Sequence, residues 1–276
     1  MIHLTALEAI ALTRPSVITI GVFDGVHLGH QYLVRRLVAS ARASGRLAVV
    51  ITFYPHPDVV LRGITGRYYL TTPDERAALL GELGVDFVIT LSFDEQLRHI
   101  RAAAFVDLLV EHLRVSELWV GAEFALGYKR EGNVAFLRAK GVDKGFTVDE
   151  VDLMAVEDSG DGLVRISSSA IRAALTEGAV ETAERMLGRP YSVRGEVGHG
   201  LARGHSIGFP TANITVPAER LLPANGVYAG WALLGDERFM AVTNVGTRPP
   251  FAGDDVTVEA YLHDFDRDIY GQALEF

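Results

Sequence analysis

Val17-Ile18-Thr19-Ile20-Gly21-Val22-Phe23-Asp24-Gly25-Val26-His27-Leu28-Gly29-His30, running on as QYLVRRLV to Val38, is the stretch whose reading decides the fold. The apolar, β-branched start predicts a strand. The glycines and Asp24 predict a turn. Leu33, Val34, Leu37, Val38 and Ala41 then recur at helical spacing on one face. A strand, a glycine-bearing turn and a helix in that order make an anion site, because the helix N-terminus has unpaired N–H groups and a dipole that favours negative charge. Gly21, Gly25 and Gly29 let a phosphate approach the backbone closely. His27 and His30, spaced H-x-G-H, can donate hydrogen bonds to charge building on a transferred phosphate. Two plainer readings stay open at this point: a metal-ligating His pair and purely structural histidines. The chain has no Cys, and no carboxylate–histidine set stands at zinc-like spacing, which weighs against the first.

Working outward, Leu47 to Phe53 predicts a buried strand that runs into Tyr54-Pro55-His56-Pro57. Two prolines stop that strand and stiffen a loop at its C-terminal end, the edge where parallel sheets bind ligands. Thr72-Pro73-Asp74-Glu75 predicts a capped helix start. Strands over 85–91, 118–120 and 146–153 alternate with helices, one of them over 102–113, and this predicts a parallel α/β sheet. The loop Gly121 to Gly132, carrying Glu123, suits a ligand loop or an ordinary surface connection equally. In Arg165-Ile166-Ser167-Ser168-Ser169-Ala170-Ile171-Arg172 the Ser run caps a helix and offers hydroxyls to a phosphate. Arg165 and Arg172 can clamp phosphate oxygens, or lie solvated.

Near residue 186 the composition shifts. Gly188-Arg189-Pro190 ends a helix, and short strands with frequent turns follow, at 191–197, 226–234, 238–245 and 256–265. They predict a small antiparallel barrel over 187–276 behind an α/β domain over 1–186. The glycine-rich loop Gly198, Gly200, Gly204 leads to Pro210-Thr211-Ala212-Asn213. There Thr211 and Asn213 can offer two oxygens to Mg²⁺, which needs few protein ligands beside substrate phosphates. Glu259 interrupts an apolar strand; it is either exposed on an outer face or held at a site.

Composition narrows the classes. Length and hydrophobic content allow two ordinary domains with sizeable cores. The net charge of −9 without a basic tract argues against non-specific nucleic-acid binding. No apolar run approaches the roughly 18 residues of a membrane span. The absence of Cys and of a secretory pattern fits the cytosol.

Together the motifs Gly21 to His30, Phe53-Tyr54-Pro55-His56-Pro57, Ile166 to Arg172, Gly208 to Asn213, Asn225 to Ala229, Asn244 to Pro249 and Val258-Glu259 resemble the bacterial bifunctional riboflavin kinase/FMN adenylyltransferase, or FAD synthetase, family. The likeness runs along the whole chain. It implies a Rossmann-like nucleotidyltransferase domain followed by a six-stranded riboflavin kinase barrel. The implied partners are ATP, riboflavin, FMN, FAD and pyrophosphate, with Mg²⁺.

By that resemblance, His27, His30 and Arg172 would act on ATP phosphates in the first module. Gly21, Phe23, Asp24, Gly25, Gly29, Arg165, Ser167, Ser168 and Ser169 would line the nucleotide, and Gly198, Gly200 and Gly204 would do so in the barrel. Phe53, Pro55, His56, Pro57 and Glu123 would border the flavin. Thr211 and Asn213 would hold Mg²⁺, and Glu259 would be the kinase base. Three departures stand out: Glu123 and Leu126 in a loop that usually reads Asp or Asn and Phe, Pro250 for Thr, and an end at Phe276 where the family continues through a strand and a helix. The last predicts a barrel short at its C-terminus, with an unpaired edge and a weaker kinase. A nucleotidyltransferase with another acceptor would not explain Pro210 to Asn213. A flavin-binding protein without turnover would not need His27, His30 and Arg172 together.

Overall fold

The computed structural model describes residues 1–151, 155–158, 162–198, 211–247 and 256–276, with backbone alone over 155–158 and 162–165. The chain forms two compact units, residues 1–65 with 71–168, and residues 66–70 with 169–276.

The first unit is built on a six-stranded, wholly parallel sheet in the order β1-β4-β3-β2-β5-β8. Its strands are β1 (Ile2–Leu4), β2 (Ser16–Ile20), β3 (Leu47–Tyr54), β4 (Phe87–Ser92), β5 (Val115–Gly121) and β8 (Thr147–Val151), with the short pair β6 (Ala125–Leu126) and β7 (Gly132–Asn133) outside the sheet. Helices α1 (Leu28–Ala43), α2 (Pro57–Arg62), α3 (Pro73–Glu82), α4 (Glu95–Arg98), α5 (Ala102–Leu113) and α6 (Val134–Lys144) connect them, and the pair β9 (Ala155–Asp158) and β10 (Gly162–Arg165) follows β8. The strands alternate between two cores. Ile18, Ile20, Val49, Ile51 and Ile89 pack with Phe105, Leu109 and Leu113 of α5. Val17, Ala48, Val50 and Val88 face the other way, where Val34, Leu37 and Ala41 of α1 and Ala77 and Leu80 of α3 are buried. Coverage of both faces is why these strands read as unbroken apolar runs.

Two features depart from the sequence reading. The edge strand β1 is three residues long, too short to show a period. After His56 the chain is helical: Pro57 is the first residue of α2, and the His56 ring accepts a hydrogen bond from Asp58 N at 2.9 Å. The rigid loop is therefore only Pro55-His56. The capping box at Thr72 and Glu75 forms as expected.

The second unit contains α7 (from Ser169 on, in a helix spanning Ser168–Thr176), α8 (Val180–Leu187) and a closed antiparallel barrel. The barrel order is β11 (Arg194–Gly198), β12 (Thr211–Thr215), β15 (Val256–Leu262), β14 (Glu237–Thr247), β13 (Gly226–Leu234) and β16 (Ala273–Glu275). Val197, Ile214, Ala232, Val245, Val258, Ala260 and Leu274 fill its core. The expected open edge is corrected: Ala273–Glu275 pairs with Arg194–Glu196 on one side, and Glu275 with Leu233 on the other. Pairing at both sides removes the unsatisfied backbone that an edge would present.

Gly200, Gly204, Pro210, Arg248 and Pro250 lie outside the described residues, as does the Arg165 side chain. No described helix is long and apolar enough to cross a membrane.

Candidate active sites

In the first unit the chain winds from β2 to β3 to β4 on one side, while β5 pairs on the other side of β2. This reversal opens a crevice at the carboxyl ends of β2 and β5, the place where open α/β sheets take ligands. A cavity of about 610 Å³ lies there. Its walls come from Gly21 and Val22 just after β2, from Phe53 in β3 with His56 and Pro57 beyond it, from Phe93 after β4, and from the loop Glu123 to Arg130 after β5. The volume and the mainly aromatic and aliphatic lining suit a planar small molecule. The structure thus brings Gly21, Phe53, His56, Pro57 and Glu123 to one cavity. Pro55, joined to Tyr54 by a cis peptide bond, does not line it.

The glycine-bearing turn leaves β2 beside this cavity. Phe23, Gly25 and Val26 all have left-handed backbones, with φ of 53°, 82° and 42°. Such values are uncommon for Phe and a genuine exception for β-branched Val. A Cβ on Gly21 would meet the Phe23 ring at 3.0 Å, and one on Gly29 would meet the His27 ring at 3.2 Å. Both glycines therefore make room for side chains of the turn itself.

His27 caps α1. Its Nδ1 accepts from His30 N at 3.3 Å, so in the neutral ring the proton sits on Nε2. The His30 ring stacks on it, with centroids 3.6 Å apart, and meets the edge of Phe23 at 4.9 Å. Burial, then the neighbouring His27, then Arg76 hold the His30 pKa well below the usual histidine value. The two stacked imidazoles thus stand at a helix N-terminus, with His30 held toward its neutral form.

Asp24 faces inward. It is fully buried, and its carboxylate accepts from Thr71 N and Thr71 Oγ1, each at 3.0 Å, and pairs with Arg76 at 3.4 Å. Its main-chain carbonyl accepts from Ser168 Oγ at 2.8 Å. Thr71 and Arg76 were missed in the sequence. The available signal was an arginine four residues before Leu80, on the apolar stripe of a helix. Arg172 belongs to the second unit, where its guanidinium lies 3.9 Å over the Tyr68 ring and donates to Tyr68 O at 2.8 Å.

In the barrel, Ala212, Ile214, Val258 and Ala260 point to the core, so Thr211, Asn213 and Glu259 take the outer face, all half-buried. The register sets Asn213 opposite Glu259, and Glu259 opposite Asn244 of β14. Gly198, the first glycine of its loop, stands opposite Asn213. Among the described residues the Asn213 and Glu259 side chains make no hydrogen bond. This set offers hard oxygen donors and one carboxylate, the chemistry that a hard divalent cation takes. No cluster of three or more His, Cys, Asp or Glu able to hold a metal occurs among the described residues.

Comparison with known proteins matches both units. The FAD synthetase family model covers residues 9–170 and the riboflavin kinase model residues 187–276. The bifunctional riboflavin kinase/FMN adenylyltransferase of Listeria monocytogenes is 39% identical over 261 residues, spanning 94% of this chain and 81% of that one. The Escherichia coli K12 protein of the same name is 39% identical, over 94% and 82%. The crystal structure of a protein named macrolide-efflux protein from Streptococcus pneumoniae matches with a TM-score of 0.84 at 30% identity, over 99% of this chain and 88% of that one. The chain belongs to the bifunctional riboflavin kinase/FMN adenylyltransferase family.

Proposed function

We propose that this chain makes FAD from riboflavin in two ATP-dependent steps, one in each unit. In the barrel, the ribityl 5′-hydroxyl of riboflavin attacks the γ-phosphorus of ATP. An O–P bond forms, the bond to the β-phosphate bridging oxygen breaks, ADP leaves and Glu259 takes the hydroxyl proton. Thr211 and Asn213 would hold the divalent metal, assigned here as Mg²⁺, which when bound offsets charge on the phosphates. The register that sets Asn213 beside Glu259 supports this assignment.

In the first unit, an FMN phosphate oxygen attacks the α-phosphorus of ATP, and pyrophosphate leaves. That nucleophile is already anionic, so no strong base is needed. The work is to position two anions and stabilise the charge that builds between them. Imidazole N–H groups that donate hydrogen bonds suit this task, and with Nδ1 of His27 accepting from His30 N, the ring has Nε2–H left to donate. The flavin ring would occupy the cavity lined by Phe53, Pro57 and Phe93. Gly21, Gly29 and the N-terminus of α1 would face the phosphates, with Ser168 holding the turn. Asp24 we assign to holding the turn from within, since a buried carboxylate paired with Arg76 cannot meet a phosphate. A cysteine-free chain that consumes ATP fits the cytosol.

The observation that carries the reading is the placement of the His27–His30 turn at the same sheet edge as a flavin-sized apolar cavity. Two incubations test it. FMN, ATP and Mg²⁺ should give FAD and pyrophosphate; riboflavin, ATP and Mg²⁺ should give FMN and ADP. Absence of FAD from the first would refute the adenylylation assignment.

A further inference from the structure

Arg76 is fully buried in the first unit, and its fork reaches several chain segments at once. One terminal nitrogen donates to Thr52 Oγ1 and to Phe53 O, both at 3.1 Å, at the end of β3. The other faces Asp24 at 3.4 Å and Thr71 O at 3.5 Å. Nε reaches Thr71 Oγ1 at 3.4 Å. The two threonines pass these contacts on. Thr52 Oγ1 gives its proton to Val22 O at 2.7 Å. Thr71 Oγ1 gives its proton to Asp24 and accepts from Gly25 N at 3.1 Å. Val22, Asp24 and Gly25 are thus each tied to one guanidinium, directly or through one hydroxyl. They are the residues that carry the chain into the left-handed stretch before His27.

A buried ion pair is a poor device for stability, because desolvating both charges offsets their attraction. Left-handed Phe and Val backbones persist only where the surroundings over-determine them. We propose that Arg76 is a positioning residue for adenylyl transfer, using Asp24, Thr71 and Thr52 to fix the turn that aims His27 and His30. The proposal rests on the reading of that turn as the adenylyl-transfer site. The Arg76 charge, one of the causes that hold His30 uncharged, acts in the same direction.

The test measures kcat and KM for FAD formation from FMN and ATP in the full chain, with FMN formation by the barrel as internal reference. In Arg76→Met, kcat for FAD should fall about 10²-fold, the cost of a misplacement near 1 Å, with a much smaller change in KM for FMN, because most of the cavity wall, from Phe93 and the loop Glu123 to Arg130, lies on segments that Arg76 does not touch. Arg76→Lys should recover part of kcat, since it restores the charge without the fork. Thr71→Val, which keeps the shape and removes only the bridging hydroxyl, should also lower kcat. An unchanged kcat in folded Arg76→Met overturns the proposal. If that variant does not fold, an unchanged kcat in Thr71→Val overturns it. His30→Ala separates the two readings: retained FAD synthesis there defeats the site assignment, whereas lost synthesis with normal Arg76→Met and Thr71→Val defeats the Arg76 proposal alone.

Discussion

Asn213 of β12 and Glu259 of β15 stand directly opposite each other on the outer face of the barrel. Opposed residues on antiparallel strands bring their Cβ atoms within about 5 Å, so one bound phosphate–metal group can meet both. Glu259→Gln keeps shape and hydrogen-bonding capacity but cannot take a proton at neutral pH. Riboflavin phosphorylation should fall by about 10²–10⁴. FAD formation from supplied FMN should stay at the parent rate, as followed by chromatography of the flavins.

Chelation should stop FMN formation, and added Mg²⁺ should restore it. Thr211→Val and Asn213→Leu remove the two neutral oxygen donors. Each should raise the Mg²⁺ concentration that half-restores phosphorylation. A titration of ADP release against Mg²⁺ reads this directly, and an unshifted curve in both variants would remove the metal assignment.

His27→Ala and His30→Ala each delete one donor from the stacked pair. Adenylylation should drop by about 10²–10³ in either, while the kinase step persists. The pyrophosphate released from FMN and ATP is the measurement.

The low His30 pKa has a consequence for stability. The unfolded chain takes up a proton near the ordinary histidine value of about 6.5, and the folded first unit resists it. The unfolded state therefore binds more protons in that window, and the first unit loses stability as pH falls from about 7 towards 5. His30→Gln should flatten this slope. Trp119 in a Trp231→Phe background reports on the first unit alone, because the chain has only those two tryptophans. Its fluorescence during urea unfolding at the two pH values supplies the comparison.

Gly127 lines the cavity with a φ of +76°, and a Cβ there would come within 2.6 Å of the Ala102 backbone. Gly127→Ala should destabilise the first unit by more than about 1 kcal/mol and displace the loop after β5. The KM for FMN should rise while that for riboflavin in the barrel stays constant. Equal KM values for FMN in parent and variant would separate this loop from flavin binding.

Much of this was legible in the residues because the signals are local. The alternation of strands and helices follows from apolar period, and the α3 start from the Thr72–Glu75 box. The turn at Gly21 to Gly29 was visible because three glycines and Asp24 interrupt the apolar pattern between strand and helix. Three-residue strands such as Ile2–Leu4 and Ala273–Glu275 carry no period, and only pairing with distant partners makes them strands. The same limit hid the helix after His56, where two prolines mask a first turn.

The sequence by itself determined the alternating α/β pattern of the first unit, the barrel character of the second, and the family to which the chain belongs. Tertiary structure alone decided that Asp24 turns inward to Arg76, that the sheet order reverses at β2 and β5 to open the cavity, and that Glu259 falls beside Asn213. The physical reason is range. Propensity, capping and periodicity act over a few residues, whereas the Asp24–Arg76 pair spans 52 positions, and strand register is set only when the whole barrel closes.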